Sequence, residues 1–160
     1  MKTCCFTGHR TQKMNPRDNK TDFINKLREL TKKEIIKAIE NGYTKFITGM
    51  ALGFDLIAGE VVLELKKEYD IVLSCALPCP NQHKYWTEKD KKRFERIIEN
   101  ADEVQCVCDK YHGGCMQIRN RFMVDNSSLI IAYYNGSEGG TKQTINYAIN
   151  QGKNIKILNI

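Results

Sequence analysis

The fold of this chain is decided by residues 45–55, KFITGMALGFD, where an apolar run ends in a turn that carries two glycines. The run at 45–48 is short and apolar, as is typical of a strand buried on both faces of a sheet. Gly49 and Gly53 allow positive φ and a close approach of the backbone to another group. Apolar residues of a helical stretch begin at Leu56. The segment therefore predicts a strand, a glycine turn and a helix, the repeating unit of a parallel α/β fold.

The same alternation runs along the rest of the chain. Short apolar runs rich in Val, Ile, Cys, Phe or Tyr alternate with longer stretches of helical period. Most runs lack a strict alternation of polar and apolar residues, which indicates strands buried on both faces. The predicted strands cover residues 3–7, 45–48, 71–76, 103–107, 129–134 and 155–158.

Five helices are predicted between these strands. Thr87 and Asp90 form a capping box that opens the third of them, and Gly152 closes the fifth. The order of elements predicts a single α/β domain over residues 1–160, with a Rossmann-like, doubly wound and mainly parallel sheet flanked by helices. The predicted helices lie at about residues 23–39, 56–65, 87–98, 116–126 and 141–151.

Size and composition agree with one globular domain. The 160 residues are 41% hydrophobic, and three prolines and 11 glycines argue against a disordered or fibrous chain. No apolar run approaches the ~20 residues that cross a bilayer, and the amino terminus lacks a signal-peptide pattern, so we expect a cytoplasmic protein without a membrane partner. The formal net charge of +6 suits nucleotides or nucleic acids, although helical lysines also fit solvated faces.

The seven cysteines are expected to be reduced, metal-free thiols. A thiol inside an apolar strand is most simply a small core side chain. The cysteines in strand-like runs are Cys4, Cys5, Cys75 and Cys106. A second group carries ligand atoms that zinc prefers, but without a paired C-x-x-C its spacing favours structural thiols. This group consists of Cys106, Cys108, His112 and Cys115.

Glycine-bearing turns follow three of the predicted strands, at residues 7–10, 48–55 and 135–141. The carboxyl ends of parallel strands meet at one edge of the sheet, where ligands bind in open α/β folds. Residues 139–141, GGT, open a helix whose free N–H groups suit a phosphate, with the threonine hydroxyl as an added donor. One such loop is explained by a tight turn alone, whereas three loops at one edge favour a ligand site. The P-loop and dinucleotide fingerprints GxxxxGK[ST] and GxGxxG are absent.

Several side chains near these turns have two plausible roles. Arg10 either clamps a phosphate through two parallel hydrogen bonds or is a surface charge. Asp55 either caps the second helix or accepts hydrogen bonds from ribose hydroxyls. Arg119 can reach the same edge or serve a dimer contact, and Trp86 can stack on a base or anchor its loop. Arg121 lies four residues before an aspartate, which predicts a local ion pair with Asp125.

The motifs together resemble the SLOG superfamily. Residues 49–55 are similar to the glycine-rich turn of the DprA/Smf proteins, and residues 119–121 and 139–141 resemble the later half of that fold. The pattern fits the YpsA-like branch better. That branch shows TGHR after the first strand, here 7–10, and R-N-x-x-M-V-D, here 119–125. Its P-x-x-x-Q-x-x-x-W loop corresponds to Pro78, Gln82 and Trp86.

The resemblance implies a Rossmann-like fold that binds nucleotides or nucleotide-derived signals, often as a homodimer or higher homo-oligomer. DprA proteins bind single-stranded DNA, and LOG enzymes cleave the N-glycosidic bond of nucleoside monophosphates. Other SLOG domains sense NAD-derived or cyclic nucleotide ligands, some of them in antiphage defence. Residues 137–144, SEGGTKQT, depart from the LOG pattern PGGxGTxxE because the terminal acid is missing. Substitutes for that acid would be Asp55, Glu60, Asp125 or Glu138.

Three functions follow as hypotheses. The leading one is a sensor or sequestering protein for a nucleotide, an ADP-ribose-like molecule or a cyclic nucleotide. The alternatives are a phosphoribohydrolase-type enzyme and a binder of single-stranded nucleic acid. No catalytic residue, cofactor or metal is predicted. The candidate ligand-binding residues are Gly8, His9, Arg10, Gly49, Met50, Ala51, Gly53, Asp55, Pro78, Trp86, Arg119, Asn120, Gly139, Gly140 and Thr141.

Overall fold

The computed structural model describes residues 1–13 and 20–160, in which strands and helices alternate. A 3₁₀ turn at Thr11–Lys13 follows the first strand. The strands are β1 Lys2–Gly8, β2 Tyr43–Thr48, β3 Val72–Leu77, β4 Glu103–Cys106, β5 Leu129–Tyr133 and β6 Asn154–Leu158. The helices are α1 Lys20–Glu40, α2 Phe54–Leu65, α3 Glu88–Asn100, α4 Cys115–Asp125 and α5 Gly140–Asn150.

The six strands form one sheet in the order β4-β3-β2-β1-β5-β6, and every neighbouring pair is parallel. Strand β1 is central: Cys5 pairs with Ile47 of β2 on one side and with Ile130 of β5 on the other. The chain builds outward from β1 through β4 and then crosses back to β5. The predicted parallel, Rossmann-like α/β fold is therefore confirmed.

Helices cover both faces of the sheet. α1 packs on α2 and α2 on α3, whereas α4 packs on α5. Successive side chains of a strand point to opposite faces, so neighbours in β2 enter different cores. Phe46 belongs to the core under α1 to α3, with Phe6 and Phe54, and Ile47 belongs to the core under α4 and α5, with Met123.

The two edge strands correct one expectation from the sequence. All four residues of β4 are exposed, and β6 is buried only at Leu158. Cys106 lies on β4 and is exposed, so it is not the core thiol that its apolar surroundings suggested. Cys4, Cys5 and Cys75 lie on inner strands and are buried as expected. The edge position of β4 depends on the strand order of the sheet. The local composition of a strand does not reveal that order.

The third helix begins as predicted, because the Thr87 hydroxyl accepts a hydrogen bond from the Asp90 N–H at 3.3 Å. The ion pair predicted between Arg121 and Asp125 in the fourth helix is replaced by contacts of both residues with Tyr147. Asp125 accepts a hydrogen bond from the Tyr147 hydroxyl at 2.7 Å, and the guanidinium of Arg121 lies 5.1 Å from the centre of the same ring. In the described part of the chain, no helix combines the length and hydrophobicity that crossing a membrane requires.

Candidate functional site

A cavity of about 450 Å³ opens at the carboxyl edge of the sheet, beside β1 and β5. The chain leaves these neighbouring strands in opposite directions along the sheet, toward β2 from one and toward β6 from the other. This is the switch point at which doubly wound folds bind ligands. Its lining consists of Phe6, Thr7, Gly8, His9, Arg10, Lys13, Ala51, Asp55, Met116, Arg119, Asn120, Met123, Gly140 and Thr141.

His9 ties the three glycine turns together. Its Nε2 accepts a hydrogen bond from the Asn135 N–H at 2.9 Å, and its carbonyl oxygen accepts one from the Phe54 N–H at 3.2 Å. The ring is buried and packs edge-on against Tyr133. Burial is the largest cause that lowers the pKa of His9 below its ordinary value. The imidazole therefore acts as a neutral acceptor that holds the turn after β1 to the turn after β5.

Two glycines of these turns are required by geometry. Gly53 has a φ of 102°, and a Cβ at this position would lie 2.6 Å from the His9 carbonyl oxygen. Gly49 has Arg119 Nη1 and Asp55 Oδ2 beside it, at 2.8 and 2.9 Å from the position of a Cβ. Both glycines therefore leave room for neighbouring protein groups, and neither lines the cavity.

Asp55 and Arg119 place opposite charges on the floor of the cavity. Both side chains are buried. Asp55 accepts a hydrogen bond from the Ala51 N–H at 3.2 Å, and Arg119 donates to the Gly49 carbonyl and, at 2.8 Å, to Asn120 Oδ1. Burial raises the pKa of Asp55, and the Arg119 guanidinium partly opposes the rise. Asp55 lies in the first turn of α2, whose N-cap is Gly53, so it is not the cap of that helix.

Lys13 lines the cavity and was missed from the sequence. The 3₁₀ turn brings it back over the site through a hydrogen bond from its N–H to the Arg10 carbonyl at 3.0 Å. Its ammonium group donates to the Glu138 carbonyl at 2.5 Å and lies beside Gly139, which has a φ of 139°. The only available signal was its position three residues after Arg10, which does not distinguish it from a surface lysine.

The cavity carries more positive than negative charge. Arg10 and Lys13 are exposed at its rim, and Arg119 lies buried beneath them, against the single described carboxylate of the lining, Asp55. Helix α5 begins at this wall with Gly140, and its first N–H groups have no partner within the helix. A helix amino terminus stabilises a negative charge placed against it. The site is therefore suited to an anion.

Six predicted binding residues do not line the cavity. Met50 is buried with a φ of 63°, and its carbonyl accepts a hydrogen bond from Gln82 Nε2 at 3.1 Å. This contact gives the loop after β3 a structural role in holding the turn after β2. The six residues are Gly49, Met50, Gly53, Pro78, Trp86 and Gly139.

Trp86 packs against the core instead of the cavity. Its ring meets Phe94 edge-on with centroids 5.5 Å apart, and His83 lies at 6.2 Å. We therefore expect the fluorescence of this single tryptophan to stay unchanged when an anionic ligand saturates the cavity. A titration that follows emission and binding heat together measures this. A large spectral shift at saturation would place Trp86 at the ligand.

The four acids considered for hydrolysis are widely distributed. Asp55 alone among them lines the cavity. Glu60 is bound by Arg28 and by Arg93, each at 2.7 Å, and Glu138 pairs with Lys142. Asp125 is held by Tyr147, as described above. An arrangement of two acids around one bond is therefore not formed by these residues.

The fold and its cavity define a doubly wound α/β protein with a cationic site at the switch point of the sheet. The model of the YpsA family, described as the YspA SLOG family, matches residues 4–160. The chain therefore belongs to this SLOG family, as its motifs indicated.

Relatives with similar sequences include two bacterial proteins. A UPF0398 protein of Macrococcus caseolyticus is 29% identical over 167 residues, which cover 100% of this chain and 91% of that protein. The SPbeta prophage-derived protein YoqJ of Bacillus subtilis is 38% identical over 122 residues, which cover 68% of this chain and 71% of YoqJ.

Solved structures that share the fold include two DprA proteins. DNA processing protein A (DprA) from Streptococcus pneumoniae superposes with a TM-score of 0.69 at 14% identity, over 99% of this chain and 50% of DprA. DprA from Helicobacter pylori, described with its single-stranded DNA binding mode, gives 0.64 at 20% identity, over 99% and 66%. This chain thus spans half to about two thirds of the DprA chains, and the likeness concerns the fold.

Proposed function

We propose that this protein binds a nucleotide-derived, phosphate-bearing small molecule in the cavity at the β1–β5 switch point, as a sensor or sequestering protein. The observation that carries the proposal is the charge of that cavity. Arg10, Lys13 and Arg119 line the cavity with a single described carboxylate, Asp55, beside the amino terminus of α5. Its volume of about 450 Å³ lies within the range of small-ligand pockets.

The three cations have different roles in this proposal. The Arg10 side chain is exposed, and its Nη2 donates a long hydrogen bond to Met116 Sδ at 3.7 Å. Because this contact is weak, the guanidinium can turn toward a phosphate. The Lys13 ammonium group is held at the rim by the Glu138 carbonyl. Arg119 already donates hydrogen bonds to Gly49 and Asn120. It therefore contributes mainly its positive charge from the floor of the cavity, and few of its N–H groups remain for the ligand. Arg10 is therefore the main clamp.

Binding without turnover fits the acid in this cavity. Asp55 is buried on the floor and accepts the Ala51 N–H, and none of the other three candidate acids lines the cavity to share the acid and base roles with it. Incubation with nucleoside monophosphates is expected to leave them intact. Release of the free base by the wild type, and not by Asp55→Asn, would establish the phosphoribohydrolase alternative instead.

Arg10→Ala is expected to weaken binding of the ligand by about 10- to 100-fold, because one charge-assisted hydrogen bond contributes roughly 1.5–3 kcal/mol. The thermal midpoint of the free protein should stay unchanged, since the Arg10 side chain is exposed. The ligand is first identified by mass spectrometry of natively purified protein. Affinities for it and for AMP, ADP-ribose and a cyclic dinucleotide are then measured by titration calorimetry.

Arg96→Ala is the matched control. It removes the same charge from an exposed arginine of α3 that does not line the cavity, so its affinity should equal that of the wild type. Equal losses in both variants would mean that general surface charge attracts the ligand, and the site would then be wrong.

Single-stranded nucleic acid is the second candidate partner. It is favoured by the net charge of +6 and by the shared fold of DprA, whose Helicobacter pylori member is described as binding single-stranded DNA. Binding of an oligonucleotide would weaken steeply with salt, because neutralised phosphates release counterions. A shallow salt slope together with tight mononucleotide binding favours the small-molecule function.

A further inference from the structure

Three metal-ligating side chains meet in the loop between β4 and α4. Cys108 Sγ lies 3.3 Å from His112 Nε2, and the ligand atoms of Cys108, His112 and Cys115 all lie within 4.8 Å of one another. The loop closes through a hydrogen bond from the Cys115 N–H to the His112 carbonyl at 3.1 Å. This turn brings together residues whose spacing in the sequence lacks a C-x-x-C pair. The geometry, and not the spacing, therefore indicates a site.

We propose that Cys108, His112 and Cys115 bind one Zn²⁺ ion, with the fourth coordination position open to water. Zinc takes thiolate and imidazole ligands in tetrahedral geometry at about 2.3 and 2.0–2.1 Å, which places neighbouring ligand atoms about 3.5–3.8 Å apart. The Cys108–His112 distance is close to this value. The ligand atoms of all three residues lie within 4.8 Å of one another, which exceeds the tetrahedral spacing by only about 1 Å. Small rotations of the side chains can close this difference.

The surroundings of the two sulfur atoms suit a bound cation. Cys115 is the first residue of α4, where the helix dipole stabilises negative charge. Its sulfur accepts the His112 N–H at 3.1 Å and donates to the Lys110 carbonyl at 3.4 Å, so the thiol is already held at the proposed site. Cys115 is buried, Cys108 is half-buried and His112 is exposed, so an ion can enter from the solvent side.

Binding requires a defined redistribution of protons. The Gly114 N–H now donates to His112 Nδ1 at 3.2 Å, which leaves the ring proton on Nε2, facing Cys108. On zinc binding the two thiols lose their protons to solvent, and the ring proton moves from Nε2 to Nδ1. The Gly114 amide then has to turn away from the ring. Glycines flank this amide on both sides, at 113 and 114, and their backbone freedom allows the rotation.

Untagged protein, purified and kept reduced, tests the proposal by elemental analysis and by competition with a chromophoric chelator. One zinc per chain is expected in the wild type. His112→Ala and Cys108→Ser should each weaken Zn²⁺ binding by at least about 10- to 100-fold, since losing a ligand costs no less than losing an outer-shell partner. Cys106→Ser is the control, because that thiol is exposed on β4 and lies outside the three-residue set. Co²⁺ substitution should give the visible bands of tetrahedral thiolate coordination.

Three results would overturn the assignment. The first is a wild type that fails to retain zinc after reconstitution with one equivalent and removal of free ion. The second is loss of zinc in Cys106→Ser, which would mean a different ligand set. The third is zinc retained by His112→Ala and Cys108→Ser alike. Since both of these residues are at least partly exposed, the variants should fold, and circular dichroism spectra confirm this.

Discussion

Replacing Arg119 with methionine is expected to lower the free energy of unfolding by about 1–3 kcal/mol, because it removes the cation that partly offsets the burial of the Asp55 carboxylate. Both side chains are buried, and the Gly49 carbonyl loses its donor at the same time. Urea denaturation measures the change. Arg121→Met, two residues further along α4 and exposed, should change stability by less than about 0.5 kcal/mol.

The pH dependence of this variant provides a second test. Burial raises the pKa of Asp55, so the folded state takes up a proton more readily than the unfolded state. Above the folded-state pKa of Asp55, its ionised carboxylate lowers the free energy of unfolding. As the pH falls below that pKa, Asp55 takes up a proton in the folded state and the free energy of unfolding rises again. Without Arg119 the pKa rises further. The stability gap between wild type and Arg119→Met should narrow as pH falls, and a gap that is the same at every pH would show that the two charges do not interact.

Gly140→Val is expected to abolish ligand binding, with a loss of at least about 100-fold, while the thermal midpoint stays unchanged. No protein atom lies within 4 Å of a Cβ at this position, and its φ needs no glycine. The added side chain therefore meets no protein, but it occupies the cavity wall at the start of α5, where a phosphate has to approach the backbone. Titration calorimetry with the ligand used for Arg10→Ala measures the loss.

Gly113→Val is the control for this substitution. Gly113 also has no atom within 4 Å of a Cβ, and it lies outside the cavity. Its affinity for the phosphate-bearing ligand should equal that of the wild type. If Gly140→Val bound as tightly as Gly113→Val, the ligand would not contact the amino terminus of α5, and the proposed contribution of that helix to phosphate binding would be wrong.

The fold was largely readable from the sequence because each strand carries its own local signal. The run at 45–48 belongs to β2, and Thr87 caps α3 as its capping box predicted. Sheet position was not readable in this way. The apolar run at 103–107 resembles an inner strand, yet β4 lies at the edge, since strand order depends on the direction of each crossover.

The candidate site was less readable, because its contacts join distant parts of the chain. Glycine after a strand marked the turns, but it did not distinguish a ligand-facing residue such as Gly140 from Gly49, which makes room for Arg119. Lys13 reaches the cavity through a 3₁₀ turn that has no strong sequence signal. The convergence of Cys108 and His112 likewise depends on a loop conformation that residue spacing does not specify.

The central place of β1 has a consequence for folding on the ribosome. Cys5 of β1 pairs with Ile130 of β5. At a synthesis rate of about 5–20 residues per second, Ile130 is added roughly 6–25 s after Cys5. During that interval β2, β3 and β4 can assemble on one side of β1 while its other side remains an unpaired edge, open to association with other nascent chains. The free side of β1 is therefore covered only when β5 has been synthesised. Conditions that slow translation between β1 and β5 should increase aggregation of the nascent chain.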